Sequence, residues 1–275
     1  MQIHHTIAAT RAALADAGRI VFVPTMGNLH AGHIALMHQA RQHGNTVVAS
    51  IFVNRLQFRP GEDFEKYPRT FAADCEKLAA AGVDHLFAPS EEELYPEPQR
   101  YVIEPPIEHA NILEGEFRPG HFRGVATVVM KLFGIIQPQA ALFGKKDFQQ
   151  FMVLSAMVRE FALPIEVIPG QTVRAADGLA LSSRNSFLTA TERVEAPRLH
   201  RLLSQIVTAI RAGNHDYASL TGAVQVELQA NSWLPDYVAV RRKIDLQLAA
   251  ATESTLVVLA AARLGNTRLI DNIEV

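Results

Sequence analysis

Short apolar runs alternate, over most of the chain, with longer segments in which apolar positions return at helical spacing. Ile20–Pro24 reads as a buried strand and Ala31–His43 as the helix that follows it. Val47–Val53, rich in β-branched residues, is a second strand. Beyond a polar loop with Pro60, Gly61 and Pro68, the spacing predicts a helix over Thr70–Ala81, with Phe71, Cys75, Leu78 and Ala79 on one face. Short strands are expected at His85–Ala88 and Tyr101–Glu104, and a helix over Val125–Ile136 that stops before Pro138. A strand at Ala140–Phe143, a helix at Phe148–Phe161 and a strand at Ile165–Ile168 follow. Strands separated by helices imply βαβ units and a parallel sheet. The C-terminal part differs, with helices over Thr189–Ala212 and Tyr217–Ala230, then strands at Tyr237–Arg241, Leu256–Ala262 and Arg268–Ile273. The expectation is an α/β protein: a parallel-sheet N-terminal domain over 1–173 and a smaller α+β C-terminal domain over 174–275, divided near Gly170–Ala176.

Composition narrows the class. With 48% hydrophobic and 20% charged residues among 275, the chain can bury a substantial core. Its 26 basic and 28 acidic residues nearly cancel, which argues against a polyanion-coating surface and so against a nucleic-acid partner. The single cysteine, Cys75, allows no internal disulfide and suits a reducing compartment. It falls on the apolar face of its helix, as a core residue rather than a nucleophile. No apolar run approaches the roughly 20 residues that span a bilayer, and Met1–Thr10 is a poor secretory signal. The protein is expected to be cytoplasmic, without a membrane partner.

The polar chemistry is not scattered. Thr25–His33, Asn54–Gln57, Gly144–Gln150 and Val173–Asn185 each begin just after an expected strand. In an open parallel sheet ligands bind beyond the carboxyl ends of the strands, where such loops converge. In the first cluster Gly27 permits a tight turn, Gly32 a close approach to the backbone, and His30 and His33 share a helical face. A helix N-terminus there attracts phosphate. A plain capping turn, or half of a metal site with no further zinc ligands at supporting spacing, fits those residues too. In the second, Asn54 and Gln57 orient hydroxyl or carboxylate groups without adding charge, or serve as ordinary turn residues. In the third, Lys145 and Lys146 stand at a strand-to-helix junction beside Gly144, with Asp147 placed to cap the helix and Gln150 one turn on. The fourth joins Ser182, Ser183, Arg184 and Asn185, a mix suited to a triphosphate or to a polar turn that Thr189 caps.

Taken in order, these motifs resemble the pantothenate synthetase family, nucleotidyltransferases with a His-x-x-His signature. The resemblance spans Pro24–His33, Phe52–Phe58, Tyr67–Thr70, Arg118–Gly124, Phe143–Gln150, Asp177–Asn185 and Thr267–Asn272. It implies a Rossmann-like N-terminal domain, a C-terminal domain closing over the nucleotide, a homodimer, and ATP-dependent joining of pantoate to β-alanine through an acyl-adenylate, with Mg²⁺ accompanying the phosphates. By motif match, Met26, Gly27, Asn28, Leu29, His30, Ala31, Gly32 and His33 would bind ATP, with His33 as proton donor. Gly144, Lys145, Lys146, Asp147, Val173, Leu181, Ser182, Ser183 and Arg184 would complete that site. Gln57 would contact pantoate and β-alanine, and Gln150 pantoate. His30, His33, Lys146 and Arg184 would stabilise the developing charge. Arg55 and Lys145 depart from the family pattern, which commonly has Pro and Glu there, and are expected to add positive charge near the polyanion. The metal ligands are open. A related nucleotidyltransferase coupling another small substrate, or a nucleotide-binding module without turnover, shares the histidine pair.

Overall fold

The computed structural model describes residues 1–59, 61–62 and 64–275. The expected loop residue Pro60 lies outside the described residues. Along the chain run β1 (Gln2–His4), α1 (Ile7–Leu14), β2 (Ile20–Thr25), α2 (Ala31–Arg41), β3 (Thr46–Ile51), α3 (Phe71–Ala80) and β4 (His85–Phe87). Three one-turn helices follow, α4 (Glu91–Leu94), α5 (Ile107–Ala110) and α6 (Glu114–Phe117), before α7 (His121–Ile136), β5 (Ala140–Gly144), α8 (Phe148–Glu160) and β6 (Glu166–Gly170). The C-terminal part holds α9 (Ala190–Glu195), α10 (Arg198–Arg211), α11 (Tyr217–Ala230), β7 (Trp233–Arg242), β8 (Leu256–Leu264) and β9 (Thr267–Glu274).

The first six strands form one parallel sheet in the order β1-β4-β3-β2-β5-β6. Both faces are covered, so its central strands are apolar almost without interruption. Phe22, Val48 and Phe87 pack under α7 and α8 with Leu132, Phe133 and Leu154. Val21, Val23, Val47 and Leu86 face the other way, against Met37 of α2 and Leu78 of α3. The strand order reverses between β2 and β5, which opens a crevice at their carboxyl ends. The second sheet, β7-β8-β9, is antiparallel. One face packs on α10 and α11 through Trp233, Val258, Leu202 and Ile206. The other face, through Val257 and Leu259, meets Phe148 of α8 and Leu113. A buried core therefore joins the two sheets.

Four expectations need correction. Tyr101–Glu104 is not a strand: Tyr101 is 91% exposed, and the Ile103 amide donates to the Thr127 hydroxyl of α7 at 3.0 Å. Prolines on both sides, Pro96, Pro98, Pro105 and Pro106, lack the amide donors that a ladder needs. The helix expected over Thr189–Ala212 breaks into α9 and α10 at Pro197, whose ring cannot occupy a helix interior. The buried face of α3 is Asp74 and Leu78, with Cys75 partly buried and Phe71 and Ala79 exposed. Finally, α7 starts at His121 rather than Val125, because Gly120 enters it at φ 81°.

Candidate functional site

The first cluster is a turn locked from beneath. Gly27 and Asn28 adopt positive φ (83° and 50°), so the chain leaves β2 sharply. The buried Asp74 carboxylate of α3 accepts from the amides of Asn28 and Leu29, each at 2.8 Å, and from the Thr70 hydroxyl at 3.0 Å. Lys77 donates to the Leu29 carbonyl at 2.7 Å. Gly27, Asn28, Leu29 and Ala31 line neither of the cavities described below. The first three shape the turn, and Asp74, concealed in a helix of apolar periodicity, holds it.

Beyond the turn, His30 caps α2. Its Nδ1 accepts from the Gly32 amide at 3.1 Å, and His33 Nδ1 accepts from the His30 amide at 3.3 Å. A nitrogen that accepts carries no proton, so both neutral rings bear theirs on Nε2. The ring centroids are 4.1 Å apart. Burial, aided for His30 by the neighbouring His33 and for both by Lys146 and Lys77, lowers the pKa of His30 to about 3 and of His33 to about 4. Gly32 also makes room for the histidine: a Cβ there would come within 2.9 Å of the His30 ring.

The second cluster is a rigid platform. Asn54, 1% exposed, donates through Nδ2 to Gln57 Oε1 and to the Gly124 carbonyl, both at 3.1 Å, and accepts from the Tyr95 hydroxyl at 3.0 Å. Gln57 Nε2 lies 3.1 Å from Met26 Sδ. Beneath it, His121 Nδ1 donates to the Gln57 carbonyl at 2.9 Å, and its Nε2 accepts from Arg118 at 3.1 Å. Carbonyl and guanidinium leave that tautomer no choice. Burial and Arg118 push the His121 pKa down to about 4. Arg118 grips Glu62 through Nε at 3.1 Å and Nη2 at 2.8 Å. Although burial raises it, these contacts and Arg59 hold the Glu62 carboxyl at about 2.

The third cluster depends on the far end of the chain. Asn272 of β9 donates through Nδ2 to the carbonyls of Lys145 and Lys146, at 2.9 and 2.8 Å. Lys146 turns into the crevice, while Lys145 turns away to an ion pair with Glu274 and lines neither cavity. Asp147 stands at the start of α8 without capping it, 3.7 Å from Lys146. In the fourth cluster, the Ser183 hydroxyl donates to the Asn28 carbonyl at 3.0 Å and Ser182 Oγ accepts from the Arg184 amide at 3.3 Å.

Met26, His30, Gly32, His33, Gln57, Gly144, Lys146, Asp147, Gln150, Val173, Leu181, Ser182, Ser183 and Arg184 all line one cavity of about 230 Å³ at the reversal point of the sheet. A larger one of about 730 Å³, between the two sheets, shares Arg118, His121, Lys146, Asp147, Gln150, Ser182 and Arg184 with it. The two adjoin across these shared side chains and together form the cleft. Its polar wall includes Asn54 and also Tyr67, Arg118 and His121, to which the motifs alone assigned no contact. For His121 the available signal was a histidine set between Gly120 and Gly124 at a helix start.

The two departures from the family pattern do not charge the cleft. Arg55 reaches Glu91 at 3.1 Å and Glu65 at 3.4 Å and lies 4.0 Å over the Phe64 ring. Lys145 is paired with Glu274, which Lys243 also contacts, and it lines neither cavity. Among the described residues, no group of three or more His, Cys, Asp or Glu side chains converges to hold a metal ion. No described helix is long and apolar enough to cross a membrane.

The family model for Pantoate-beta-alanine ligase matches residues 2–274. The chain belongs to the pantoate–β-alanine ligase family. Members similar to it include the pantothenate synthetase of Leptothrix cholodnii, 59% identical with both chains fully covered. That of Chromobacterium violaceum is 60% identical over 100% of this chain and 99% of its own. Among solved members of the family, the pantothenate synthetase of Thermus thermophilus superposes with a TM-score of 0.95 at 44% identity, covering 100% of this chain and 99% of that one. A pantoate–β-alanine ligase from Francisella tularensis, described as complexed with beta-gamma ATP and beta-alanine, superposes with a TM-score of 0.86 at 36% identity, over 100% and 97%.

Proposed function

We propose that the cleft joins pantoate to β-alanine at the expense of ATP. The observation that carries this reading is the convergence of all four polar clusters on one cavity at the sheet's reversal point. The Francisella relative complexed with beta-gamma ATP and beta-alanine supports it. In the first step a carboxylate oxygen of pantoate attacks the α-phosphorus of ATP, and the bond to the β-phosphate breaks to release pyrophosphate. The carboxylate is ionised at neutral pH, so this step needs no base. It needs donors aimed at the anionic phosphates, and the Nε2–H groups of His30 and His33, the Lys146 ammonium, Arg184 and the Ser182 and Ser183 hydroxyls are the candidates. In the second step the unprotonated amine of β-alanine attacks the acyl carbon, the bond to AMP breaks, and the amide nitrogen gives up a proton. Gln57, held by Asn54, and Gln150 orient the acid so that the attacking amine meets the acyl carbon.

Mg²⁺ would accompany the nucleotide and offset charge on its phosphates, with Asp147, 3.7 Å from Lys146, as the carboxylate that would help hold it. A homodimer and a cytoplasmic setting complete the proposal on family resemblance. The test is AMP formation with ATP, Mg²⁺, pantoate and β-alanine, omitting each in turn. Dependence on all four is expected, and AMP release that ignores pantoate or β-alanine would refute the assignment.

A further inference from the structure

Resting on that reading, one requirement of the second step is unmet by the groups assigned so far. β-Alanine carries a carboxylate as well as the amine that reacts, and burying an ionised carboxylate without a cation is prohibitively costly. Three cationic side chains line the stretch shared by the two cavities: Lys146, Arg184 and Arg118. Lys146 and Arg184 belong to the loops proposed for the nucleotide. Arg118 stands apart from them, with Nη2 3.4 Å from the carbonyl of Gln57.

Arg118 is already holding a carboxylate. Its Nε and Nη2 present parallel donors to the two oxygens of Glu62, the bidentate geometry by which arginine recognises a free carboxylate. Nη1 is committed to His121, which anchors the guanidinium to the Gln57 platform. Glu62 sits on the loop between β3 and α3, and it has a second cation at hand: Arg59 Nε lies 3.1 Å from its Oε1. Glu62 can therefore leave Arg118 without becoming an uncompensated charge, and an arriving carboxylate replaces it one for one. An exchange of equivalent partners avoids the large penalty of breaking a buried pair outright.

We propose that the Nε–Nη2 face of Arg118 is the carboxylate subsite of the amine substrate, occupied in the ligand-free protein by Glu62 as an internal stand-in. The subsite selects amines that carry a carboxylate over those that do not, because only a carboxylate can take the place of Glu62 on the guanidinium, and an amine without one forgoes that charge-assisted bidentate contact. It also makes Glu62 a competitor of the substrate.

Two assays separate this from the reading it rests on. Pantoate-dependent ATP–pyrophosphate exchange, run without β-alanine, reports the first step, and AMP formation with β-alanine varied reports the second. For Arg118→Gln, the KM for β-alanine should rise about 10- to 100-fold, the worth of a charge-assisted bidentate contact. The KM for pantoate in the exchange should rise far less than that for β-alanine, since Arg118 also braces Gln57 through His121, and the preference for β-alanine over β-alaninamide should collapse. For Glu62→Gln, the KM for β-alanine should fall severalfold. A rise in the pantoate KM as large as that for β-alanine, or an unaltered preference over β-alaninamide, would overturn the proposal. If Arg118→Gln fails to fold by circular dichroism, Glu62→Gln decides, and an unchanged or raised KM for β-alanine counts against the subsite. Exchange that ignores pantoate in the unaltered protein would instead sink the reading of the reaction itself.

Discussion

A histidine's proton is placed by whatever its other nitrogen must accept, and here backbone amides settle the matter for His30 and His33. Both rings sit neutral with Nε2–H available, at pKa values of about 3 and about 4, as does His121 at about 4 with the opposite tautomer. The unfolded chain binds protons on these residues near pH 6.5, where the folded protein does not. Their stabilising contribution is therefore complete above pH 6.5 and is lost as pH falls toward about 4. Each histidine adds a slope of up to about 1.4 kcal/mol per pH unit in that window. Urea midpoints measured across it should fall with acidification, and a flat profile would contradict the burial of these rings. The His-x-x-His spacing announced the pair, but not its protonation: that is set by cap geometry and by Lys146 and Lys77, brought in from other segments.

At the scale of elements, the platform under Gln57 works because α7 approaches the turn after β3 closely at Gly124. A Cβ there would lie 2.2 Å from the Leu56 carbonyl oxygen and 2.7 Å from the Gln57 Cα. Gly124→Ala should cost about 1–3 kcal/mol by overpacking and raise the KM for pantoate by displacing Gln57. Gly134, exposed on the same helix, has no atom within 4 Å of an added Cβ. Gly134→Ala should instead be neutral or stabilise by up to about 1 kcal/mol through helix propensity. Chemical denaturation of the two variants checks both signs, and equal effects would deny any special packing at position 124. Glycine in this stretch of sequence signals only that something is near. The turn it must clear is some seventy residues away in the chain and close only in the fold.

Across the whole molecule, a desolvated ion cluster ties the second sheet to α6 of the N-terminal part. Glu114 of α6 pairs with Arg268 of β9 through two contacts of 2.7 Å, Tyr237 donates to Glu114 at 3.0 Å, and Asp236 accepts from Arg268 at 2.6 Å. The Glu114 and Arg268 side chains are 11% and 15% exposed, so solvent screens them little. Burial opposes ionisation of Glu114, yet Arg268 keeps its carboxyl below the ordinary range. Glu114→Ala should destabilise by about 3–5 kcal/mol, since it strands a buried guanidinium contact and the Tyr237 hydroxyl. Equilibrium unfolding measures this, and a loss under about 1 kcal/mol would place the pair in the class of exposed ion pairs. The same β9 strand carries Asn272, which holds the Lys146 loop. The C-terminal sheet is thus a structural wall of the cleft.

Local chemistry was legible in the sequence wherever a cause and its effect lie within a few residues of each other. Apolar runs and helical periodicity marked most of β2 through β6, the strand-following position of the four polar clusters marked the cleft, and Thr189 does cap α9 with Glu192 as its partner. The break at Pro197 was local as well, and a strict reading of proline would have found it. What only the tertiary structure decided are pairings across long separations: Asp74 under the first turn, Arg118 and His121 beneath Gln57, Asn272 behind Lys146, and Lys145 and Arg55 turned onto acidic partners. The physical reason is that a side chain's charge, tautomer and reach depend on its neighbours in space, and periodicity along one chain segment carries no information about which distant segment supplies them.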